Sequence, residues 1–541
     1  MTSVSPRFCR SPRLRAGISV LPLIAGCAIP SWLSAQAPPR ASSVSIDAGA
    51  ATSAAITAAD ARVRVGIVAA DSMMGRDTGS PGLRKARDYI AAELARMGVQ
   101  PAGDGGTYFA RVGLERSAYT FSAAVRTASG ERTLTTKDVV PLAGVAGVPG
   151  LPRPTGEGRI VYGGWAVDGA VAPEGELAPE QMDGAVLVMR FGAAPDAGRL
   201  ARQRFSLESL WGPRSRLAAI VIVADAAMRE YWDAGIQSLA TGAVARAGSL
   251  TPDSVAGGPA LLLATPAEAE RLIGRPLAGA RQPFVAAGTL RYQLRSSVQR
   301  VEAWNIVGVV RGSDAGRAGE YVALGAHYDH VGVGIPVRGD SIYNGADDDG
   351  SGVAALLEIA ERFAALPSAH RPARSLLFVW HTGEELGLLG SEAFTEHPTV
   401  PRDSIVAQLN VDMIGRNSPD SLYVVGSRRL STRLGDVVEA ANRRQARPFR
   451  LGYALDAPSH PEHLYCRSDH YSYARFGIPV TFFTSGLHAD YHQPSDEPRT
   501  LDYAKLARVA ALIGDIAGDL ASAPERLRRD RPMPPVGEPC T

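Results

Sequence analysis

Two imidazoles and a carboxylate stand within four residues at His327-Tyr328-Asp329-His330, and a run of acids, Asn344-Gly-Ala-Asp347-Asp348-Asp349-Gly-Ser-Gly352, follows closely. An imidazole and a carboxylate on adjacent loop tips suit a divalent metal of the zinc kind. The same pair would also serve as a helix N-cap beside a hydrogen-bonded histidine, so the elements that carry it must decide. Upstream, Tyr321-Val-Ala-Leu-Gly-Ala326 reads as an apolar strand, which puts His327 and Asp329 at its carboxyl end. Downstream, Val353, Leu356, Leu357, Ala360 and Phe363 recur at three and four residues. That spacing predicts an amphipathic helix opening near Asp349, which would cap it, and stopped by Pro367.

Three further stretches repeat the pattern. Leu376–Trp380 is a buried strand running into His381-Thr-Gly-Glu384-Glu385-Leu-Gly387, where two adjacent carboxylates repel unless a cation joins them. Ile405–Val411 ends in Asp412-Met-Ile-Gly-Arg416. Pro479–Phe483 runs into Thr484-Ser-Gly-Leu-His488-Ala-Asp490-Tyr491-His492-Gln-Pro494. Four strands that each deliver an acid or imidazole at the carboxyl end form a constellation, at the edge where α/β sheets bind ligands.

The series G-A-H-Y-D, G-A-D-D-D-G-S-G, G-E-E-L-G-L-L-G-S, N-V-D-M-I-G and D-Y-H-Q-P, in that order over about residues 300 to 520, resembles the secreted dizinc aminopeptidases related to glutamate carboxypeptidase, in metallopeptidase clan MH. The resemblance implies an α/β fold: a mixed, mostly parallel central sheet flanked by helices, of the zinc exopeptidase or phosphorylase/hydrolase-like kind. It implies two Zn2+ per chain and a ligand set. Asp348 would bridge, His327 and Asp412 would complete one metal, and Glu385 and His492 the other. Spacing alone would allow any of Asp347, Asp348 or Asp349 to bridge. Glu384 would be the general base, Asp329 would hold the second nitrogen of His327, and Tyr491 resembles a tyrosine that donates to the oxyanion in some relatives. His330 and His381 read as neighbours of the site, and His470 in Ser468-Asp-His470 is the rival to His492, which the D-Y-H-Q-P context favours.

The implied activity is hydrolysis of peptides or small proteins, as an aminopeptidase. A carboxypeptidase of the same fold would need a cationic patch for the terminal carboxylate, and Arg416 and Arg467 alone do not make one. A glutaminyl cyclase would need only one metal, and a non-catalytic receptor would be expected to lose ligands or the base; here the whole set is present.

The remaining chain bounds compartment and organisation. With 541 residues the length suggests about three units, and 45% hydrophobic with 21% charged residues is the balance of a globular protein. The net charge of +2 and the absence of a basic block argue against a nucleic-acid partner. Residues 1–37 read as a signal peptide: Arg7, Arg10, Arg13 and Arg15 precede an apolar run from Ala16 to Ile29, and Ala35-Gln-Ala37 offers a small-residue cleavage site. The run is too short for a comfortable transmembrane span. Ile24-Ala-Gly-Cys27 also resembles a lipoprotein box, so the expectation is an exported protein, periplasmic or extracellular, with a lipid anchor at Cys27 as the alternative. Export would permit a disulfide between Cys466 and Cys540.

Residues 38–64 read as an Ala-, Ser- and Pro-rich linker and 65–149 as the first part of the peptidase domain, beginning with a helix on which Ala86, Tyr89, Ile90, Leu94 and Met97 share a face. Residues 150–290 hold short β-rich runs at Arg159–Tyr162, Ala185–Met189, Ala219–Val223 and Pro259–Leu263, a compact mainly-β or α+β insert. Its position and rhythm resemble a protease-associated domain. Residues 291–522 complete the peptidase domain, and 523–541 read as a disordered tail.

Overall fold

A computed structural model describes residues 52–143, 153–165, 179–190, 215–225, 228–248, 258–280 and 282–534. The expected signal peptide, Cys27 and Cys540 lie outside them. By contact the chain divides into one unit formed by Met1–Val112 with Ala303–Thr541, and a second formed by Gly113–Glu302.

In the first unit the four strands expected from sequence are neighbours in one sheet. Tyr321–His327 pairs in parallel with Ser375–His381 on one side and with Ile405–Val411 on the other, and Ile405–Val411 pairs in parallel with Val480–Thr484. All four carboxyl ends therefore fall on the same edge. The chain leaves Tyr321–His327 towards one neighbour and later returns on its other side, which opens a crevice at that edge. Antiparallel partners complete the mixed sheet: residues 306–310 beside Ser375–His381, and Ser421–Val425 beside Val480–Thr484.

Both faces of this sheet are covered, so its strands are apolar throughout rather than alternating with polar residues. On one face Leu324, Phe378 and Trp380 meet Val353, Leu357, Val509 and Ile513. On the other, Ala323, Leu377 and Val379 meet Phe394, Tyr473 and Phe482. The helix expected after the acid run is Gly350–Ala364, and Asp349 caps it, its Oδ1 accepting from Gly352 N at 2.8 Å. The final helix, Tyr503–Ser522, is capped by Asp502 and buries Leu506, Val509, Leu512, Ile513 and Ile516 as its periodicity predicts.

Three assignments differ from the expectation. The stretch assigned to a linker contains the start of helix Ala58–Val68, capped by Thr57. On its inner face Ala61, Val65 and Val68 are fully buried, and Arg64 reaches Glu358 at 2.8 Å. A small-residue composition that reads as loose is what lets this helix pack closely against Gly350–Ala364. The second unit begins near residue 113, not 150, and ends near 302, not 290. The cause is long-range pairing: within it, residues 123–127 form a hairpin with Gly130–Leu134, residues 114–117 pair with Ala243–Arg246, and Val139–Pro141 pairs with Ala260–Ala264. Finally, the described part of the expected tail, residues 523–534, is held by contacts: Arg526 donates to the Asp403 carbonyl and Asp530 accepts from Thr432 N at 3.0 Å.

The four β-rich runs of the second unit are strands, Thr155–Trp165, Val186–Arg190, Ala219–Val223 and Ala260–Ala264, paired in parallel in that order. Helices Arg229–Thr241 and Pro266–Ile273 accompany them, giving an α/β arrangement with antiparallel edges. Among the described residues no helix is long and apolar enough to cross a membrane. Cys466 is disulfide-bonded, and its partner lies outside the described residues.

The helix that follows the acid run approaches the sheet at Gly352, where a Cβ would meet the Val411 carbonyl oxygen and the Asp349 carboxylate. Gly352→Ala is expected to lower unfolding free energy by about 1–3 kcal/mol through overpacking. Chemical denaturation measures this, and an unchanged midpoint would contradict the close approach.

Candidate metal centre

Each strand end turns its side chains into one cleft. Of the three consecutive acids, Asp349 is committed to the helix cap, and Asp347 turns aside, its Oδ1 accepting from Gly415 N at 2.6 Å and its Oδ2 lying 3.3 Å from His488 Nε2. Asp348 alone stands between two imidazoles. Its Oδ1 is 3.1 Å from His327 Nε2 and its Oδ2 is 3.2 Å from His492 Nε2. The loop geometry thus brings only this one of the three acids within reach of both imidazoles.

Around Asp348 the acids and imidazoles fall into two groups. His327 Nε2 lies 3.6 Å from Asp412 Oδ1, and His492 Nε2 lies 2.9 Å from Glu385 Oε2. One group is His327, Asp348 and Asp412, and the other is His330, Asp348, Glu385 and His492. His327 Nε2, His492 Nε2 and Asp412 Oδ1 are buried without hydrogen-bond partners although they face one another. Buried polar atoms are normally satisfied, so convergent orphans of this donor type fit a bound cation. Imidazole nitrogen and carboxylate oxygen, three or four to a group and sharing one carboxylate, suit a pair of zinc-class ions.

The electrostatics lead to the same place. Burial alone would raise Asp348, but His327, His492 and His330 outweigh it and hold its carboxyl well below the usual range. Burial and the Asp348 charge likewise oppose Glu385, yet His492 and His330 bring it down to about 2. The surrounding acids in turn raise His327 and His492 against the effect of burial, and a divalent cation would take over that balance while releasing their protons.

Partners behind the front row fix the front row. His330 Nδ1 is 2.6 Å from Glu385 Oε1, which leaves Oε2 to His492. Ser468 Oγ donates to Asp412 Oδ2 at 2.9 Å and accepts from Asn410 Nδ2 at 2.8 Å, leaving Asp412 Oδ1 on the His327 side. Asp329 departs from its expected role. His327 Nδ1 meets the Asp329 backbone carbonyl at 3.1 Å, whereas its distance to the carboxylate is 3.9 Å. The carboxylate is taken up elsewhere, accepting from Thr78 Oγ1 at 3.1 Å and from Glu384 N at 3.2 Å, so Asp329 orients the histidine through its main chain and the Glu384 loop through its side chain.

Arg76, absent from the sequence reading, is fully buried. It donates to the carbonyls of Tyr328 (2.9 Å), Val68 (3.0 Å), Asn344 (2.6 Å) and Gly345 (2.8 Å), stitching the His327 loop to the Asp348 loop. The Gly-Arg-Asp-Thr-Gly segment around it was the available signal, since an arginine in a turn otherwise reads as exposed.

Glu384 lines the cleft together with Asp348, Glu385 and Asp412. Burial, with the Glu385 charge added and the His327 imidazole opposing, pushes its carboxyl well above the usual range. Met413, Leu464, Phe482 and Leu487 supply an apolar wall. Tyr491 stacks on His492 with ring centroids 3.9 Å apart, and its hydroxyl accepts from Arg467 Nη2 at 3.3 Å. Burial and the nearby Asp348 and Glu385 charges raise the phenol, keeping it a donor. His470, the rival to His492, sits in neither group; it is fully buried and stacked on Phe482 at 4.9 Å.

Residues 305–517 match the model of peptidase family M28. A probable leucine aminopeptidase of Arthroderma benhamiae is 30% identical over 223 residues, 40% of this chain and 58% of that protein. A leucine aminopeptidase 1 of Uncinocarpus reesii is 32% identical over 224 residues, 38% of this chain and 53% of that protein. The chain thus spans little more than half the length of these relatives. Among solved structures, an aminopeptidase from Aneurinibacillus sp. strain AM-1 shares the fold with a TM-score of 0.53 and 18% identity, covering 88% of this chain and 96% of that one. BSAP, a zinc aminopeptidase from Bacillus subtilis, does so with a TM-score of 0.51 and 15% identity, covering 88% and 100%.

The buried histidines that hold no place in the site set an acid limit on stability. Burial lowers both His381 and His470 to about 3. Below the unfolded value near 6.5 the unfolded chain takes up protons that the folded chain refuses, so stability present above pH 6.5 is lost as pH falls. His470→Phe should therefore reduce the loss of unfolding free energy between pH 7.5 and 5.5 by about 1 kcal/mol, read from urea unfolding at the two pH values. An identical pH dependence in variant and parent would contradict this.

Proposed function

We propose that this chain, built around a peptidase family M28 match, is an exported two-zinc exopeptidase that releases N-terminal residues from peptides or small proteins. The observation that carries the reading is Asp348, with one carboxylate oxygen 3.1 Å from His327 and the other 3.2 Å from His492, in the same cleft as a Glu384 carboxyl. His327, Asp348 and Asp412 would hold one zinc ion, and Asp348, Glu385 and His492 the other. Bound there, the ions would supply Lewis-acid polarisation of the scissile carbonyl and a lowered pKa for water.

The chain's own residues supply the rest. Glu384, whose carboxyl burial and the Glu385 charge raise, accepts a proton from the attacking water and passes it to the leaving amine. Its backbone N–H is held on Asp329, and its loop is tied by Thr382 N donating to Asn305 Oδ1 at 3.1 Å, so the base does not swing. Tyr491 donates its phenol proton to the oxygen that gains charge, because its lone pairs are engaged by Arg467. The apolar wall excludes water and receives the side chain next to the scissile bond.

A free amine suits this cleft better than a free carboxylate. Of the four acids on its floor, the ions would take up Asp348, Glu385 and Asp412, and Glu384 is left to face an amine. Arg416 is paired with Asp490 at 2.6 Å, and Arg467 with Glu462 and Tyr491, so neither of these two guanidinium groups is uncommitted and ready for a terminal carboxylate. For the compartment, the basic and apolar leader of the sequence and the disulfide at Cys466 support export to the periplasm or beyond, with lipid attachment at Cys27 as the alternative route. The second unit fits an insert of the protease-associated type in its position along the chain.

The reading is tested with purified protein on free-amine, N-acetylated and C-terminally amidated peptides. Cleavage of the free-amine and amidated peptides, but not the acetylated ones, is expected; cleavage that requires a free carboxylate would make it a carboxypeptidase. Glu384→Gln should reduce turnover by about 10²–10⁴-fold with zinc content unchanged. Turnover that survives in this variant would remove Glu384 from the mechanism.

A further inference from the structure

The geometry of Asp348 depends on its peptide, and the side chain that holds this peptide belongs to another loop. Asp347 N lies 3.1 Å from both carboxylate oxygens of Asp496, and Asp348 N lies 3.1 Å from Asp496 Oδ2. Ala346 N donates to the Asp496 carbonyl at 3.0 Å. Asp496 is fully buried, and hydrogen bonds from N–H groups to a buried carboxylate are the strong, direction-setting kind.

Asp496 is also four residues beyond His492. Its own N–H donates to the Gln493 carbonyl at 3.0 Å, and Gln493 N donates to Asp490 O at 3.0 Å, so the segment from 490 to 496 is a closed series of turns. Its other end is fastened by Arg416, whose Nη2 lies 2.6 Å from Asp490 Oδ2 and whose Nη1 lies 4.0 Å from Asp496 Oδ1. One carboxylate thus joins the loop that carries Asp348 to the loop that carries a terminal imidazole.

We propose that Asp496 is the positioning residue of the bridging carboxylate: by holding the Asp347 and Asp348 N–H groups it sets where Asp348 stands relative to His327 and His492, and both metal positions depend on it although it is not a ligand. The inference rests on the two-metal reading of the site but not on the peptidase activity. Its consequence is specific. A change at a terminal ligand weakens one ion, whereas a change at Asp496 weakens both together. A role confined to tying loops would lower the melting temperature without changing either affinity.

The test is competitive zinc titration of the full chain after chelator treatment, against a chromophoric chelator, with thermal melting of the stripped protein alongside. Asp496→Asn has the shape of the parent but places an amide N–H₂ against backbone donors. Both zinc affinities should fall in parallel, by about 10- to 100-fold, as outer partners of metal ligands do when altered. Asp496→Glu, which keeps the charge but displaces it, serves if the amide variant does not fold, and the same parallel loss is expected. Unchanged affinities in a folded variant overturn the inference, and so does loss confined to one ion. Failure of the peptidase reading would look different: parent protein that binds two zinc ions and cleaves no peptide.

Discussion

Asp348, Glu384, Glu385 and Asp412 line a single cleft and Asp329 and Asp349 are buried beside it, and withdrawing that much negative charge from water is the constraint on which the rest of the first unit depends. An isolated buried carboxylate is too costly to keep ionised, so each needs a donor, a cation or a proton. Asp349 has a helix N-terminus, Asp329 a threonine hydroxyl and a backbone N–H, and Asp412 a serine. Asp348 and Glu385 stand between imidazoles. Among the atoms these donors leave unsatisfied are His327 Nε2, His492 Nε2 and Asp412 Oδ1, which face one another across Asp348. A pair of divalent ions would resolve the remainder, and the proposed catalytic use of the cleft would follow from the same charge that makes it costly.

Precision at that edge comes from the layers beneath it. Four parallel strands end together because both sheet faces are packed with side chains that leave no room for a strand to slip. A one-residue slip would exchange the two faces. Loops carry the ligands, but they are not free loops. Arg76 spends its guanidinium on four carbonyls, three in the segments that bear His327 and Asp348 and one, Val68, at the end of helix Ala58–Val68. The helix Ala58–Val68, locked to Gly350–Ala364 through Arg64 and Glu358, supports those segments from behind. Positioning residues are therefore recruited from the N-terminal region, more than 200 residues away from the ligands in sequence but within the same unit.

The strands and their products were readable because each is a local signal: an apolar run, then an acid or imidazole. Helix Gly350–Ala364 and helix Tyr503–Ser522 were readable from period alone. Facts that depend on pairing at a distance were not. The start of the second unit near residue 113 is set by strands that find partners more than 100 residues further on. A stretch rich in Ala and Ser reads as a linker until the surface it packs against is known. In the site, side-chain type suggested that Asp329 would hold His327 with its carboxylate, but its carbonyl was nearer and the carboxylate had other donors. His330 read as a bystander because its spacing from Glu385, 55 residues, carries no pattern. Which of the three acids stands between the two imidazoles is a matter of loop geometry, which spacing does not encode.

The claim on which all of this turns is that Asp348 is shared by two metal ions, and zinc stoichiometry tests it most directly. Calorimetric titration of zinc into chelator-treated protein should give two tight equivalents per chain, and Asp348→Asn should lose both rather than one, since each group of donors would then lack its common member. Two tight equivalents in Asp348→Asn, or a single equivalent in the parent, would contradict the bridged centre.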